Sequence, residues 1–553
     1  MRTFSEGVSK RLVWLLCGTV VLSGCTGNPS PGGETAADQK KVSAPGTFPI
    51  VDEKITIKLF TKHDPKVEDY ATNEFTKWYE EKTNIHIDWQ TVPVSALAEK
   101  LQVTLAGGDL PEVIMTAGLT PSQLVAYGSQ GLFLPLNDLI DQYAPNIKKM
   151  MEQVPESRKY LYAPDGNIYG LPRYSENVHT SMPKKLWINQ KWLDNLGLQM
   201  PETTEDLYNV LKAFKTEDPN GNGKADEIPF AGATQDNNEP ESFIMQSFLF
   251  FDRDTYVMVE NDKIVFTGDS EGYKEGLKYL RRLIQEGLLA PESFTQDRKA
   301  LTALSEAPEG ARLGAAPGLI WTQFSVSNSP LGRDKEFVPV PILAGPDGKR
   351  YGFDKGESVI PAEFVITKNA KNPEAAIRWI DFFYDSSQML ETGMSPSYGI
   401  EGVHWEKIEP GKFGLDGVTP AEFRILVQPG TPGNYYWNQS VPSYSTVKTM
   451  YRYEVTPEMD SEVVLYNTTK ELYKPYSMLD KKLPFLYFMP EDLAKYGDLQ
   501  KNIVGVVRQF MLKFVTGNLD IDKDWDKYIQ ELNNAGLKQY VDILQETYDK
   551  NKE

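Results

Sequence analysis

The chain has 553 residues, 40% of them hydrophobic and 24% charged, with a formal net charge of −19 at pH 7. That length supports two domains held together by core burial. The acidity argues against nucleic acid and against an anionic bilayer surface as partners, and by itself identifies no ligand.

The N-terminus carries a basic segment (Arg2, Lys10, Arg11) and then an apolar run from Leu12 to Leu22, too short for a stable membrane span. The run ends in Leu22-Ser23-Gly24-Cys25, which resembles the lipobox of bacterial lipoproteins. The resemblance implies cleavage before Cys25 and a diacylglycerol on its sulfur; with N-acylation, two or three chains suffice for stable anchoring. Loss of residues 1–24 removes Arg2, Lys10, Arg11 and Glu6 and takes the net charge to about −21. Cys17 leaves with the signal peptide, so a mature chain lipidated at Cys25 has no disulfide, thiolate metal site or cysteine nucleophile. Residues 25–46, rich in Gly, Pro, Ser, Thr, Ala and Lys, read as a flexible tether.

Order is expected from about Ile50. Ile55 to Phe60 alternates and reads as a strand, Tyr70 to Thr83 as a helix, and Ile85 to Trp89 as a second strand. A helix over Ala96 to Ala106 stops at Gly107-Gly108, and Leu110 to Met115 reads as a third strand. Strands separated by helices imply βαβ units and a parallel sheet, an α/β fold. Thr203 or Thr204 caps the next helix, with Glu205 and Asp206 suited to its positive end.

Asp218-Pro-Asn-Gly-Asn-Gly-Lys-Ala-Asp226 follows that helix, with Glu227 next. Oxygen-bearing side chains alternate at Asp218, Asn220, Asn222 and Asp226; the Lys224 carbonyl fills the gap, and Gly223 holds the sixth position of a calcium loop. Pro229 stands where the bidentate Glu of an EF-hand would be, so Glu227 is the nearest replacement and a lone Ca2+ clip is expected in place of a paired EF-hand. An Asn-Gly-rich turn without metal is the alternative. Further on, helices are expected over Tyr273 to Glu286 and Pro373 to Tyr384, and strands over Phe337 to Pro341 and Phe364 to Thr367. From about Pro457 the chain reads as helical, including Ile503 to Val515 and one or two helices over Asp524 to Tyr548.

Four ordered stretches resemble the extracytoplasmic solute-binding proteins of ABC importers, in the large sugar-binding branch of maltose-binding protein, and most of all the calcium-containing alginate-oligosaccharide binders. They are Gly107-Gly108-Asp109-Leu110-Pro111-Glu112-Val113, Asp165 to Pro172, Trp187 to Leu193 and Pro201 to Leu207. The resemblance implies two α/β lobes, a hinge, an interlobe cleft and extra C-terminal helices. The calcium pattern of that branch maps onto Asp218, Asn220, Asn222, Lys224, Asp226 and Glu227, with a structural role outside the cleft. Crossings are expected near Pro172 to His179, near Pro339 to Leu343 and after Tyr384. The first lobe would hold 47–175 and 339–385, the second 176–338 and 386–553.

Sugar recognition needs flat apolar faces and planar polar groups. Trp321 ends a Gly318-Leu319-Ile320 strand pattern, Arg173-Tyr174 lies at the first crossing, and Tyr435-Tyr436-Trp437 lies in a Pro432 to Pro442 loop. Trp321, Trp437, Tyr436, Arg173 and Tyr174 are therefore candidate ligand contacts, with core packing the alternative for each. His179 and His404 read as structural. The rival classes are a secreted glycosidase and a peptide-binding lipoprotein. Acidic pairs are inevitable among 77 Asp and Glu, and no nucleophile elbow or zinc helix is present. An adhesive surface protein would more often show repeats, and none appears. The expectation is a monomeric, membrane-tethered binding protein, not an enzyme, that hands an oligosaccharide to the permease subunits of an ABC importer.

Overall fold

The computed structural model describes residues 42–552 apart from 236, 328, 439 and 457–459; the signal peptide, Cys25 and the tether up to residue 41 lie outside the described residues. Two sheets organise the chain. In the first, β1 (Ile55–His63) pairs in parallel with β2 (Ile85–Pro93) and β3 (Val113–Met115). The helices α1 (Glu74–Thr83) and α2 (Leu97–Gly107) follow β1 and β2, as the alternation of patterns requires. Asn73 caps α1 and accepts from the Phe75 N–H, which fixes its start later than the expected Tyr70. β4 (Leu171–Ser175) and a long β9 (Ser358–Ile366) complete the central strands, β9 running antiparallel to both β3 and β4. A two-residue strand, β10 (Tyr444–Ser445), returns late to pair in parallel with β4.

The second sheet has the order β8 (Phe337–Val340), β5 (Leu186–Asn189), β7 (Leu313–Pro317), β6 (Ile228–Phe230). Helix α3 (Thr204–Thr216) precedes β6 and opens with a capping box between Thr203 and Asp206. Helix α4 (Glu271–Gln285) buries Tyr273, Leu277, Leu280 and Leu283 at helical spacing in this lobe's core. Helix α5 (Pro373–Asp381) buries Ile377, Trp379 and Ile380 in the first lobe. The C-terminal helices are α6 (Pro490–Val515), α7 (Trp525–Asn534) and α8 (Leu537–Lys550). Their buried residues Phe510, Phe514, Tyr528, Leu532, Tyr540 and Leu544 join the second core. Gly536, at φ +95°, breaks the C-terminal segment into two helices. Among the described residues, no helix is long and apolar enough to cross a membrane.

Strand membership moves two expected boundaries. Pro339 and Val340 pair with Trp187 and Leu186, so they belong to the second sheet, and the crossing starts after Val340. The span 386–553 does not lie wholly with the second lobe. Trp437, Val441 and Tyr444 are buried in the core of the first, because β10 pairs with β4 there.

Candidate functional site

Strand directions place the cleft. β1, β2, β3 and β4 all point their carboxyl ends to one edge of the first sheet. β4 leaves that edge at Ser175, and only residues 176–185 connect it to Leu186, the first residue of β5. Leu186 pairs with Pro317, the last residue of β7, and with Val340, the last residue of β8. The carboxyl edges of both sheets therefore meet at the crossings, where open α/β sheets take their ligands.

On the first edge, β1 runs into His63 and Asp64. One Asp64 carboxylate oxygen accepts from Asn438 Nδ2 at 2.9 Å and Ser440 Oγ at 2.8 Å, and the other from the Lys66 N–H at 2.9 Å. Burial would raise this carboxyl, but those three bonds and the nearby Lys62 charge hold it below the usual range. Thr116, directly after β3, donates its N–H to the Glu363 carbonyl at 2.7 Å. The buried Glu363 carboxylate stands 3.8 Å from Arg173 Nε. Burial pushes the Glu363 carboxyl up, against the charges of Arg173 and Lys62.

On the second edge, Asn238 Nδ2 donates to the Pro317 carbonyl at 2.5 Å and the Ala233 N–H to the Asn238 carbonyl at 2.9 Å, locking the loop after β6 to the end of β7. Glu239 and Glu241 follow. Arg253 joins both, Nε to Glu241 at 2.8 Å and Nη1 to Glu239 at 3.2 Å. Trp321 stands in the turn after β7, partly exposed. Its ring meets Trp187 edge to face at 5.0 Å, and the Trp187 Nε1–H is tied to the Gly318 carbonyl at 3.0 Å.

Of the sequence-derived candidates, Trp321 and Arg173 stand at these edges. Tyr174 is on the same strand as Arg173 but is buried against Tyr444 at 5.6 Å and donates to Glu176 at 3.0 Å. Trp437 and Tyr436 are interior residues, so their expected role as ligand contacts is corrected. Trp437 packs among Phe75, Trp89, Trp379 and Phe383, and its Nε1–H donates to Thr76 at 2.7 Å. Tyr436 stacks on Tyr435 at 4.4 Å and donates to the Thr431 carbonyl, while its own carbonyl accepts from the α1 cap Asn73. The aromatic loop is buried as the staple that returns the chain to the first lobe. Asp64, Glu363, Asn238, Glu239, Glu241 and Arg253 were missed. The legible signal for Asp64 was its place directly after a strand; the others depend on pairing. His179 and His404 behave structurally. His404 stacks on Tyr435 at 3.7 Å and accepts from the Ile400 N–H, and burial lowers the His179 imidazole to about 4, with Lys185 adding to it.

The loop 218–227 sits at the start of β6, a strand length from the cleft edge. Gly221 and Gly223 adopt φ +72° and +74°, which lets the chain coil back on itself. Asp218 accepts from the Asn222 and Gly223 N–H groups at 3.1 and 2.9 Å, and Asn222 Oδ1 from the Lys224 N–H at 2.8 Å. Asn222 Nδ2 reaches Asp226 at 3.1 Å. One Glu227 oxygen is enclosed without a hydrogen-bond partner, and its carboxyl is raised by burial and then by the charges of Asp226 and Asp218. Among the described residues no trio of His, Cys, Asp or Glu forms a metal cluster. The donors here are carboxylates mixed with amides and a carbonyl, an all-oxygen set that fits Ca2+, and the orphaned Glu227 oxygen fits a cation.

The bacterial extracellular solute-binding protein family matches residues 62–389. The chain is 32% identical over 98% of its length, and 98% of the relative's, to the fructooligosaccharide ABC transporter substrate-binding protein FusA of Streptococcus pneumoniae serotype 4. A solved S. pneumoniae structure, the FusA EF-hand mutant in complex with fructo-nystose, is 31% identical with a TM-score of 0.72, covering 90% of this chain and 99% of that one. The alginate-binding protein AlgQ2 without calcium ion shares the fold at 24% identity and a TM-score of 0.63, over 92% of this chain and 100% of that one. With the two-sheet architecture and the facing carboxyl edges, these matches place the chain in the bacterial extracellular solute-binding protein family.

Proposed function

We propose that this protein captures an oligosaccharide between its lobes, without turning it over, and delivers it to the membrane subunits of an ABC importer. The observation that carries the reading is the cleft edge itself. A partly exposed Trp321 follows the end of β7, where Asn238 Nδ2 bonds the Pro317 carbonyl, and Asp64, Arg173 and Glu363 belong to the carboxyl edge of the other sheet. An aromatic face for pyranose or furanose C–H groups beside planar hydrogen-bonding side chains is what a sugar requires. The 32% identical relative is named for fructooligosaccharides, which supports the same class here. The full chain, purified in detergent, is titrated calorimetrically with an oligosaccharide panel, and the sugars recovered are weighed by mass spectrometry. Binding without change of mass is expected, and Trp321→Ala lowers affinity about 10²-fold. Cleaved glycans, or tight binding of a peptide but no sugar, overturn it.

Two accessory features belong to this reading. Cys25, outside the described residues, carries the lipid that holds the protein at the outer face of the cell membrane. Cys25→Ala abolishes lipid labelling and membrane retention; unchanged retention refutes the anchor. Asp218, Asn220, Asn222, the Lys224 carbonyl, Asp226 and Glu227 would hold Ca2+. Its charge would offset the Asp226 and Asp218 charges that act on Glu227 and tie the end of α3 to the start of β6.

A further inference from the structure

The first crossing makes a single helical turn, Val178–Ser181, and late stretches of the chain close on it. The Glu176 carboxylate, just before the turn, accepts from the Val447 N–H at 2.9 Å, and the Tyr451 hydroxyl accepts from the Val178 N–H at 3.4 Å. The helix Asp460–Thr468 packs against the same turn. It buries Leu465 in the cluster that holds Trp187 and carries Trp321 at its margin, and its Tyr466 meets Tyr451 edge to face at 5.4 Å. The helix therefore joins the second lobe to the chain that returns from β10.

Glu462 lies one turn before Tyr466 on this helix. Its carboxylate stands 3.5 Å from His179 Nε2, and its side chain is 37% exposed against 7% for His179. Burial, with the Lys185 charge, lowers the His179 imidazole to about 4, so the ring is neutral at neutral pH. Its Nδ1 is enclosed without a partner, so the ring proton sits on Nε2 and points at the carboxylate. Among the described residues no Lys or Arg pairs with Glu462, and burial alone raises its carboxyl. Burial also raises the Tyr398, Tyr451 and Tyr453 hydroxyls, and the Glu462 charge adds to each. A carboxylate with one neutral donor and no cation is costly in the empty protein. It is also open enough to be reached, and a hydroxyl that donates to it recovers part of that cost.

We infer that Glu462 is a ligand contact: held by the Nε2–H of His179 at the first crossing, its carboxylate accepts hydroxyl groups of the bound oligosaccharide where the two lobes meet. This inference rests on the oligosaccharide reading above. His179 is a positioning residue, since its ring is covered and its donor faces Glu462.

The test is calorimetry and thermal melting of the full chain with kestose, maltotriose and mannotriose, at least one of which binds the parent. Glu462→Gln keeps the size of the side chain and removes its charge. Affinity for that sugar falls about tenfold or more, while the melting temperature of the sugar-free protein stays level or rises, because a charge without a cation partner is gone. A purely structural role gives the reverse: early melting with the affinity of the folded fraction intact, and that result overturns the assignment. Should the Gln variant both melt early and bind weakly, Glu462→Asp decides, since it keeps the charge and draws it back by one methylene. Weaker binding at the parental melting temperature upholds the contact, and parental affinity overturns it. Unchanged affinity in both variants overturns the contact while leaving the oligosaccharide reading intact. If the parent binds none of the three sugars, that reading fails and the assignment falls with it.

Discussion

Two tryptophans separate packing from binding. Trp437 is enclosed by four aromatic rings and bonded to Thr76. Trp437→Ala opens a large core cavity and costs about 3–5 kcal/mol of stability, seen as a lower denaturant midpoint. Sugar affinity of the folded fraction stays unchanged; a selective affinity loss with normal stability would return Trp437 to the cleft. Lys185 belongs to the same scale. Its ammonium is fully buried in the first crossing, donating to the His179 and Met182 carbonyls at 3.0 and 2.5 Å and lying 5.4 Å from the centre of the Tyr473 ring. Burial lowers it to about 7, with Asp354 opposing and Lys355 adding to the shift. The unfolded chain therefore binds the extra proton between about pH 7 and 10.5. The charged form costs stability below pH 7, and that cost is relieved as pH rises through the window. Relative to Lys185→Met, the parent should gain melting temperature from pH 7 to pH 9; parallel profiles would refute the buried-ammonium account.

At the scale of elements, the loop 218–227 links α3 to β6 in the second lobe. Arg312, one residue before β7, donates to the Asp226 carbonyl at 3.1 Å and pairs with its carboxylate at 3.3 Å. The Asp226 and Asp218 charges act on the Glu227 carboxyl, so a calcium ion bound here would stabilise the folded form by mass action. Adding calcium should raise the melting temperature of the parent, chelator should lower it, and Asp218→Ala should abolish the response. Equal melting temperatures in calcium and chelator count against the clip. Because the loop stands at the amino end of β6, Asp218→Ala should leave sugar affinity at saturating folded protein within about twofold.

Across the whole molecule, the C-terminal segment ties the lobes together. The backbone of Tyr487 is bracketed by Asn551, just after α8, with bonds of 2.9 and 3.1 Å. The Tyr487 side chain is buried with the first lobe, donating to the Tyr160 carbonyl at 2.7 Å beside Phe485, whose ring lies 5.1 Å from Tyr160. Closure around a ligand has to turn about or break this contact as well as the crossings between the lobes. Tyr487→Phe should loosen the lobes and speed sugar release several-fold in stopped-flow fluorescence, while the melting temperature falls by only a few degrees. An unchanged release rate would show that the contact moves rigidly with one lobe.

The local code was readable because it is short-range. Strand alternation over Ile55 to Phe60, the Thr203 cap, the helix break near the C-terminus and the glycine-spaced turn of 218–227 depend on residues within one or two turns of each other, and the structure has each of them. Trp321 lies in a loop as expected, but the strand before it is Leu313–Pro317, and the Gly318-Leu319-Ile320 stretch read as a strand belongs to the turn. What could not be read was which lobe a late segment joins. Tyr436 and Trp437 lie more than 350 residues from Asn73 and Thr76, and only their pairing with α1 makes them core. Asp64, Glu363 and Glu239 look like three of 77 acidic residues until β1, β9 and the loop after β6 bring them to facing edges. Sequence by itself determined most elements, the family and the glycine-spaced turn of 218–227, since those need only neighbours in the chain. The cleft was decided by strand order and direction, which set the positions of residues hundreds of places apart.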